Sequence, residues 1–312
     1  MKKFALCLAS LCSMFLLVSV GSLQASQLWV SATGNDTNAC SQTAPCLSFQ
    51  GAYNKGSVTQ INCLTSGNYG PIAITASITI DCGTGNIGNI SVSIGINNNN
   101  GIQINTSSAA TIVLRHLALN GLGTGNFGIG TNSFNSGTLT VEDCMIYGFT
   151  GSGSGIFFAP NGGRGLLQVS NSQIFGNSDG ITLSPSGQIA SLTLNGVELT
   201  GNTTNGLSLG GDVGSVVAGT MRNSVVGANG QYGVYTTANQ VFFTVEESSI
   251  VDNLVTGIQT NSANSIVNVG ASTIGGNGTG INAQLGTIVS FGNNQFSTNA
   301  SDGNFSSTKP LK

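Results

Sequence analysis

A glycine followed by an aliphatic residue recurs along most of this chain. The pairs are Gly101-Ile102, Gly128-Ile129, Gly155-Ile156, Gly180-Ile181, Gly206-Leu207, Gly233-Val234, Gly257-Ile258 and Gly280-Ile281, at intervals of 27, 27, 25, 26, 27, 24 and 23 residues. Such a period marks one supersecondary unit repeated in space. Each unit holds short alternating segments such as Leu167-Gln168-Val169, then a polar bend. A second alternating piece follows, as in Asn171-Ser172-Gln173-Ile174, Asn223-Ser224-Val225-Val226 and Glu247-Ser248-Ser249-Ile250. Many units close on Gly-Asn: Gly176-Asn177, Gly201-Asn202, Gly276-Asn277. Alternation sends every second residue inward. No single unit can bury that face alone, so units must stack along an axis. The pattern predicts an all-β parallel β-helix of three strands per unit and about ten coils. A helical solenoid is excluded by the apolar spacing of two. A β-sandwich is excluded by the missing hairpin signals. A calcium-binding roll is excluded by the scarcity of Asp.

Composition excludes further classes. Of 312 residues only 8 are Lys or Arg and 11 Asp or Glu, giving a net charge of -3, while 46 are glycine. So few basic residues cannot neutralise a phosphate backbone, so no nucleic-acid partner is expected. Met1-Lys2-Lys3 followed by the apolar stretch Phe4 to Val20 reads as a signal peptide, residues 1–25, cut near Ala25. Cys7 and Cys12 leave with it. The mature chain is then expected in the periplasm or outside the cell, as a monomer with no transmembrane segment. Of the five remaining cysteines, Cys40 pairs with Cys46 and Cys63 with Cys82 in this reading, and Cys144 stays a buried thiol. Spacing does not fix that connectivity. The cysteine spacings do not fit a zinc finger or ribbon.

The segments Trp29 to Asp36 and Pro45 to Ala52 resemble the start of secreted bacterial right-handed β-helix proteins of the pectate-lyase-like superfamily. Asn68-Tyr69-Gly70 leading into Ile78-Thr79-Ile80-Asp81, and the repeat itself, fit the same resemblance. It implies a right-handed coil and a short N-terminal capping helix, here Ser48 to Lys55. The expected organisation is a cap region at 26–66, a β-helix at 67–305 and a frayed polar tail at 306–312.

Equivalent positions of stacked units touch, so columns can be read across coils. The bend column is His116, Asp143, Asn171, Gly196, Asn223, Glu247, Ala271, Asn293; the column before it is Arg115, Glu142, Ser170, Asn195, Arg222, Glu246, Gly270, Gly292. The bend calls for left-handed backbone, which Asn tolerates best. Arg115, His116, Glu142 and Asp143 therefore have two readings. As a catalytic group, His116 would be a base oriented by Asp143, with Arg115 on a substrate carboxylate. As a ladder, Arg115 pairs with Glu142 in the next coil, as Arg222 does with Glu246. The repetition favours the ladder.

In the superfamily that this chain resembles, chemistry belongs on the first-strand face. The outward residues there are Gln103, Gly130, Phe157, Thr182, Ser208, Tyr235, Gln259 and Asn282, then Asn105, Asn132, Ala159, Ser184, Gly210, Thr237, Asn261 and Gln284. Neither set carries a charge. The acidic calcium ligands and basic residue of uronate lyases have no counterpart there, nor do the paired carboxylates of polygalacturonase-like hydrolases. No cofactor is expected, and calcium has no support. Arg164 and Asp212 lie in following loops. What remains suits neutral sugars, with Phe157, Tyr235, Gln103, Asn105, Asn132 and Thr182 as binding candidates. Tyr147 over Phe175 is a second aromatic pair, read as sheet support. The leading expectation is a non-catalytic exported protein that binds glycans or an envelope or extracellular partner along its long face. The alternatives are a polysaccharide lyase or glycoside hydrolase, and a structural spacer.

Overall fold

The computed structural model describes residues 26–92, 95, 97–151, 153–237 and 240–309. The expected signal peptide, residues 1–25, lies outside them. The fold is a right-handed parallel β-helix of about eight turns with almost no helix. This is slightly fewer than expected, because the chain ends supply partial coils. Ser26–Val30 pairs with Val58–Cys63, which pairs in turn with Ile78–Asp81, beginning the second sheet ahead of the first. No described helix is long and apolar enough to cross a membrane.

A typical coil runs Ser154–Phe158 in the first sheet, Gly165–Ser170 in the second and Gln173–Phe175 in the third. Every pairing between coils is parallel, and the aliphatic repeat residues stack in register: Ile102, Ile129, Ile156, Ile181, Leu207, Val234, Ile258 and Ile281. All are buried. Two coils differ from the three-strand expectation. Ile102–Arg115 and Ile129–Glu142 run as 14-residue strands through the corner between the first two sheets. Irregular register at Ile104/Asn105 and Thr106/Ala109 absorbs the bend there.

The repeated glycine has a steric cause rather than a dihedral one. A Cβ on Gly233 would lie 2.5 Å from the Gly257 carbonyl oxygen and 2.8 Å from the Asn253 side-chain nitrogen. Gly155, Gly180, Gly206, Gly257 and Gly280 face the same pair of obstacles, the next coil's carbonyl and an asparagine side chain. Gly233→Ala is therefore expected to destabilise the fold by about 1–3 kcal/mol through overpacking, read as a lowered midpoint in urea.

Those asparagines form an internal ladder. Asn177 accepts from Phe149 N, and Asn202, Asn229, Asn253, Asn277 and Asn299 each accept from the backbone N–H of the ladder asparagine one coil before. Each also donates inward to a backbone carbonyl, as Asn229 does to Leu199 O at 3.1 Å.

The bend column takes left-handed backbone at His116, Asp143, Asn171, Gly196, Asn223, Glu247 and Ala271, with φ between 46° and 64°. The final coil corrects the sequence alignment. There Gly292, not Asn293, has the positive φ of 89°, and Val269 pairs with Ser290, so Phe291 rather than Gly292 follows Gly270. One residue fewer separates the last two bends.

The N-terminal end is closed by a helix, Phe49–Tyr53. Ser48 caps it, its Oγ accepting from Gly51 N at 2.9 Å. Asp36 holds the approach by accepting from Leu47 N and Ser48 N. Phe49 and Ala52 are buried, with Phe49 against Tyr69. The disulfides are Cys40–Cys46 and Cys63–Cys82. The second joins the strand Val58–Cys63 to the following coil. At the other end, Ser307–Thr308 pairs with Val289–Ser290 instead of fraying. That pairing covers an edge of the second sheet.

Candidate functional site

Two surfaces carry the candidate residues. On the first sheet, Gln103, Gly130, Phe157, Thr182, Ser208, Tyr235, Gln259 and Asn282 stack in one register. Phe157 stacks on Phe127 from the preceding coil, centroids 4.7 Å apart and 22° between planes. Tyr235 stacks on Tyr232 at 4.6 Å and 18°, and its hydroxyl accepts from Asn261 Nδ2 at 3.2 Å. Between these pairs lie only the small hydroxyl side chains of Thr182 and Ser208. Thr182 bonds Ser154 Oγ at 2.7 Å and donates to Asp179 Oδ2 at 3.2 Å.

Three candidates sit differently from the sequence reading. Gln103 is buried, 8% exposed, and accepts from Asn98 Nδ2 beneath the turn Asn97–Asn99. Asn105 is half-buried and pairs with Ser133, because the register shift at Ile104/Asn105 displaces Asn132 from its column. Arg164 donates to Ser191 Oγ and Asp212 accepts from Ser186 Oγ, so neither reaches the other.

The second surface is the bend between the second and third sheets. Arg115 Nε donates to Glu142 Oε2 at 2.7 Å, and Arg222 pairs with Glu246 in the same way four coils on. The ladder is thus present. Yet His116 is not oriented by Asp143 as the catalytic reading had it. Its Nδ1 lies 2.8 Å from Asp81 Oδ1, while Nε2 is 3.8 Å from Asp143 Oδ2. A carboxylate only accepts, so Nδ1 carries a hydrogen and donates it to Asp81. Asp81 was missed by the column alignment, which began at Arg115. Its signal was there: Ile78 and Ile80 point inward as Ile112 and Leu114 do, placing Asp81 beside Arg115.

His116 and Asp143 line an open cleft of about 490 Å³ that continues over the third sheet. Its sides include Ile87, Ala118 and Met145 on one hand and Gln173 and Glu198 on the other. Cys144, at its base, is buried, and burial pushes the thiol up to about 12, far from a reactive thiolate. Tyr147 and Phe175 stack nearby on the third sheet at 5.2 Å and 3°. Among the described residues no cluster of three or more His, Cys, Asp or Glu side chains could hold a metal ion.

No family model matches the chain, and no curated protein sequence matches it. Among solved structures it is similar to pectate lyase Pel9A, at 17% identity and TM-score 0.63, over 92% of this chain and 80% of that one. It also aligns with the A-module of the Azotobacter vinelandii mannuronan C-5 epimerase AlgE4, at 13% identity and TM-score 0.45, over 92% and 90% of the two chains. At such identities the likeness is one of fold. The chain is a parallel β-helix with the coil architecture of a pectate lyase.

Proposed function

We propose that this protein is an exported, non-catalytic β-helix that binds a neutral glycan along its first sheet. The observation that carries this reading is the pair of stacked aromatic groups, Phe127/Phe157 and Tyr232/Tyr235, flanking Thr182 and Ser208. Phe157 and Tyr235 are three coils apart, roughly 14 Å at about 4.8 Å per coil. Rings can stack on sugar faces, while hydroxyls and the Asn261 amide can bond sugar hydroxyls. The outward columns carry no charge to attract a polyuronate. The fold of a pectate lyase supports a polysaccharide-related role, and two disulfides suit an oxidising compartment.

The test is a screen of neutral and acidic oligosaccharides, followed by calorimetry on F157A and Y235A. Each substitution is expected to weaken binding roughly 2- to 12-fold, the equivalent of about 0.5–1.5 kcal/mol for an aromatic contact. Unchanged affinity in both variants overturns the reading.

The alternative is a polysaccharide lyase or glycoside hydrolase working from Arg115, His116, Glu142 and Asp143. It is supported by the Asp81–His116 hydrogen bond, which orients the imidazole ring at the cleft. Turnover of a polysaccharide by the wild type that disappears in H116N would establish it in place of the binding-only reading.

A further inference from the structure

We infer that Asp179 and Asn205 set the specificity of the first-sheet site, accepting hydroxyl hydrogens of a neutral sugar and turning away uronates. The inference rests on the glycan reading of that sheet. Asp179 opens the strand Asp179–Leu183 and pairs with Ser154 in the coil before. The pairings of Ile181 with Leu207 and of Leu207 with Val234 carry the same register on through Asn205 to Tyr232. A column of Ser154, Asp179, Asn205 and Tyr232 therefore runs beside Phe157, Thr182, Ser208 and Tyr235. Asp179 and Asn205 occupy the two coils between the aromatic groups.

Asp179 is held in place without being saturated. A carboxylate has about four acceptor positions. Its Oδ1 accepts from Asn205 N at 3.0 Å and is hydrogen-bonded to Thr204 Oγ1, while its Oδ2 accepts from Thr182 Oγ1 at 3.2 Å. One position on Oδ2 is left, on a half-buried side chain. Asn205 is short of a partner. It is 9% exposed, and its Oδ1 has no hydrogen bond. Buried polar atoms are normally paired. The terminal torsion of a carboxamide is soft, so this group can turn to meet a ligand hydroxyl. Asp179 and Asn205 stand on adjacent coils, about 4.8 Å apart at the backbone, a spacing that neighbouring hydroxyls of one sugar ring can span. A neutral sugar brings a donor to each. A uronate would set its own carboxylate against Asp179, and like charges repel.

The test is calorimetry on the full protein with cellotetraose, mannotetraose, xylotetraose, maltotetraose and tetragalacturonate. A neutral tetramer is expected to bind more tightly than tetragalacturonate. Asp179→Asn keeps an Oδ1 for Asn205 N and turns an N–H toward Thr182 Oγ1, so the local bonds survive. D179N is expected to weaken the neutral tetramer about tenfold, as for one charge-assisted hydrogen bond. Asn205→Leu removes the unpaired acceptor at similar size. N205L is expected to bind roughly fivefold more weakly, as for one neutral hydrogen bond, while its urea midpoint holds or rises. A merely structural asparagine would lower that midpoint. Unchanged affinity in D179N or N205L, a lowered midpoint in N205L, or tetragalacturonate binding as tightly as the neutral tetramers overturns the inference. Weaker binding by F157A with D179N and N205L unchanged overturns it and leaves the glycan reading standing. No binding by any neutral tetramer overturns both.

Discussion

Replacing Asn229 by leucine is expected to cost about 3–5 kcal/mol, because several buried groups lose their partners together. The Oδ1 of Asn229 accepts from Asn202 N at 3.1 Å and from Asn202 Nδ2 at 3.0 Å. Its Nδ2 donates to Asn253 Oδ1 at 2.9 Å and to Leu199 O at 3.1 Å. Leucine is of similar size, so little volume is lost. What it leaves is an orphaned backbone N–H on Asn202, shut away from water, with Leu199 O and Asn253 Oδ1 each short of a donor. Buried polar groups without partners carry their full desolvation cost. The effect should also depend on position. Asn299 ends the ladder, is only half-buried, and reaches Asp302 at 2.9 Å. Asn299→Leu is expected to cost less than half as much. Since each coil touches only its neighbours, amide exchange in N229L should rise first across the coils holding Asn202, Asn229 and Asn253. Urea unfolding and exchange together check this. Equal losses at Asn229 and Asn299 would show that the ladder is a passive consequence of stacking.

The same ladder explains why the fold was readable. The glycine before each aliphatic residue is held by the neighbouring carbonyl and the ladder amide, so it recurs once per coil and exposes the period. The left-handed bend similarly leaves its mark, since Asn, Asp, Gly and His gather there. The disulfide pairing and the burial of Cys144 agree with the sequence reading, although spacing alone did not fix the connectivity. The candidate sites were less legible, because their parts come from different coils. Phe127 precedes its own glycine and looks like a turn residue, yet it completes the ring pair with Phe157 one coil on. Asp81 lies before an irregular loop, Gly83 to Asn86, which hides its register with Arg115. Gln103 alternates outward as predicted, but the turn at Asn97–Asn99 covers it. A single register shift was enough to displace Asn132. Periodicity locates a residue along the axis. Loops and bulges then decide what reaches it, and neither has a period.

A second large effect is expected at high pH. Burial raises the Cys144 thiol from its ordinary 9.0 to about 12, with the Asp143 and Asp81 carboxylates adding to the rise and backbone hydrogen bonds at Leu117 and Glu142 opposing it. The folded protein therefore keeps this proton over a range in which the unfolded chain has released it. The unfolded state binds fewer protons there, so stability falls as pH rises. The contribution is fully present below about pH 9 and is lost between about 9 and 12. Two units of that window, at pH 11, correspond to about 3 kcal/mol, and the whole shift to about 4 kcal/mol. Cys144→Ser isolates the effect. Serine already fills this column at Ser172, Ser224, Ser248 and Ser272, each donating at 2.7 Å to the carbonyl two residues before. The variant can make the same bond to Glu142 O, which the Cys144 thiol now approaches at 3.2 Å. At pH 8 the two proteins should differ by less than about 1 kcal/mol, the worth of a single hydrogen bond. At pH 11 the wild type should have lost about 3 kcal/mol more than C144S. Urea midpoints at the two pH values give that difference directly. Parallel losses would mean that the thiolate is solvated within the fold, and that the base of the cleft opens to water.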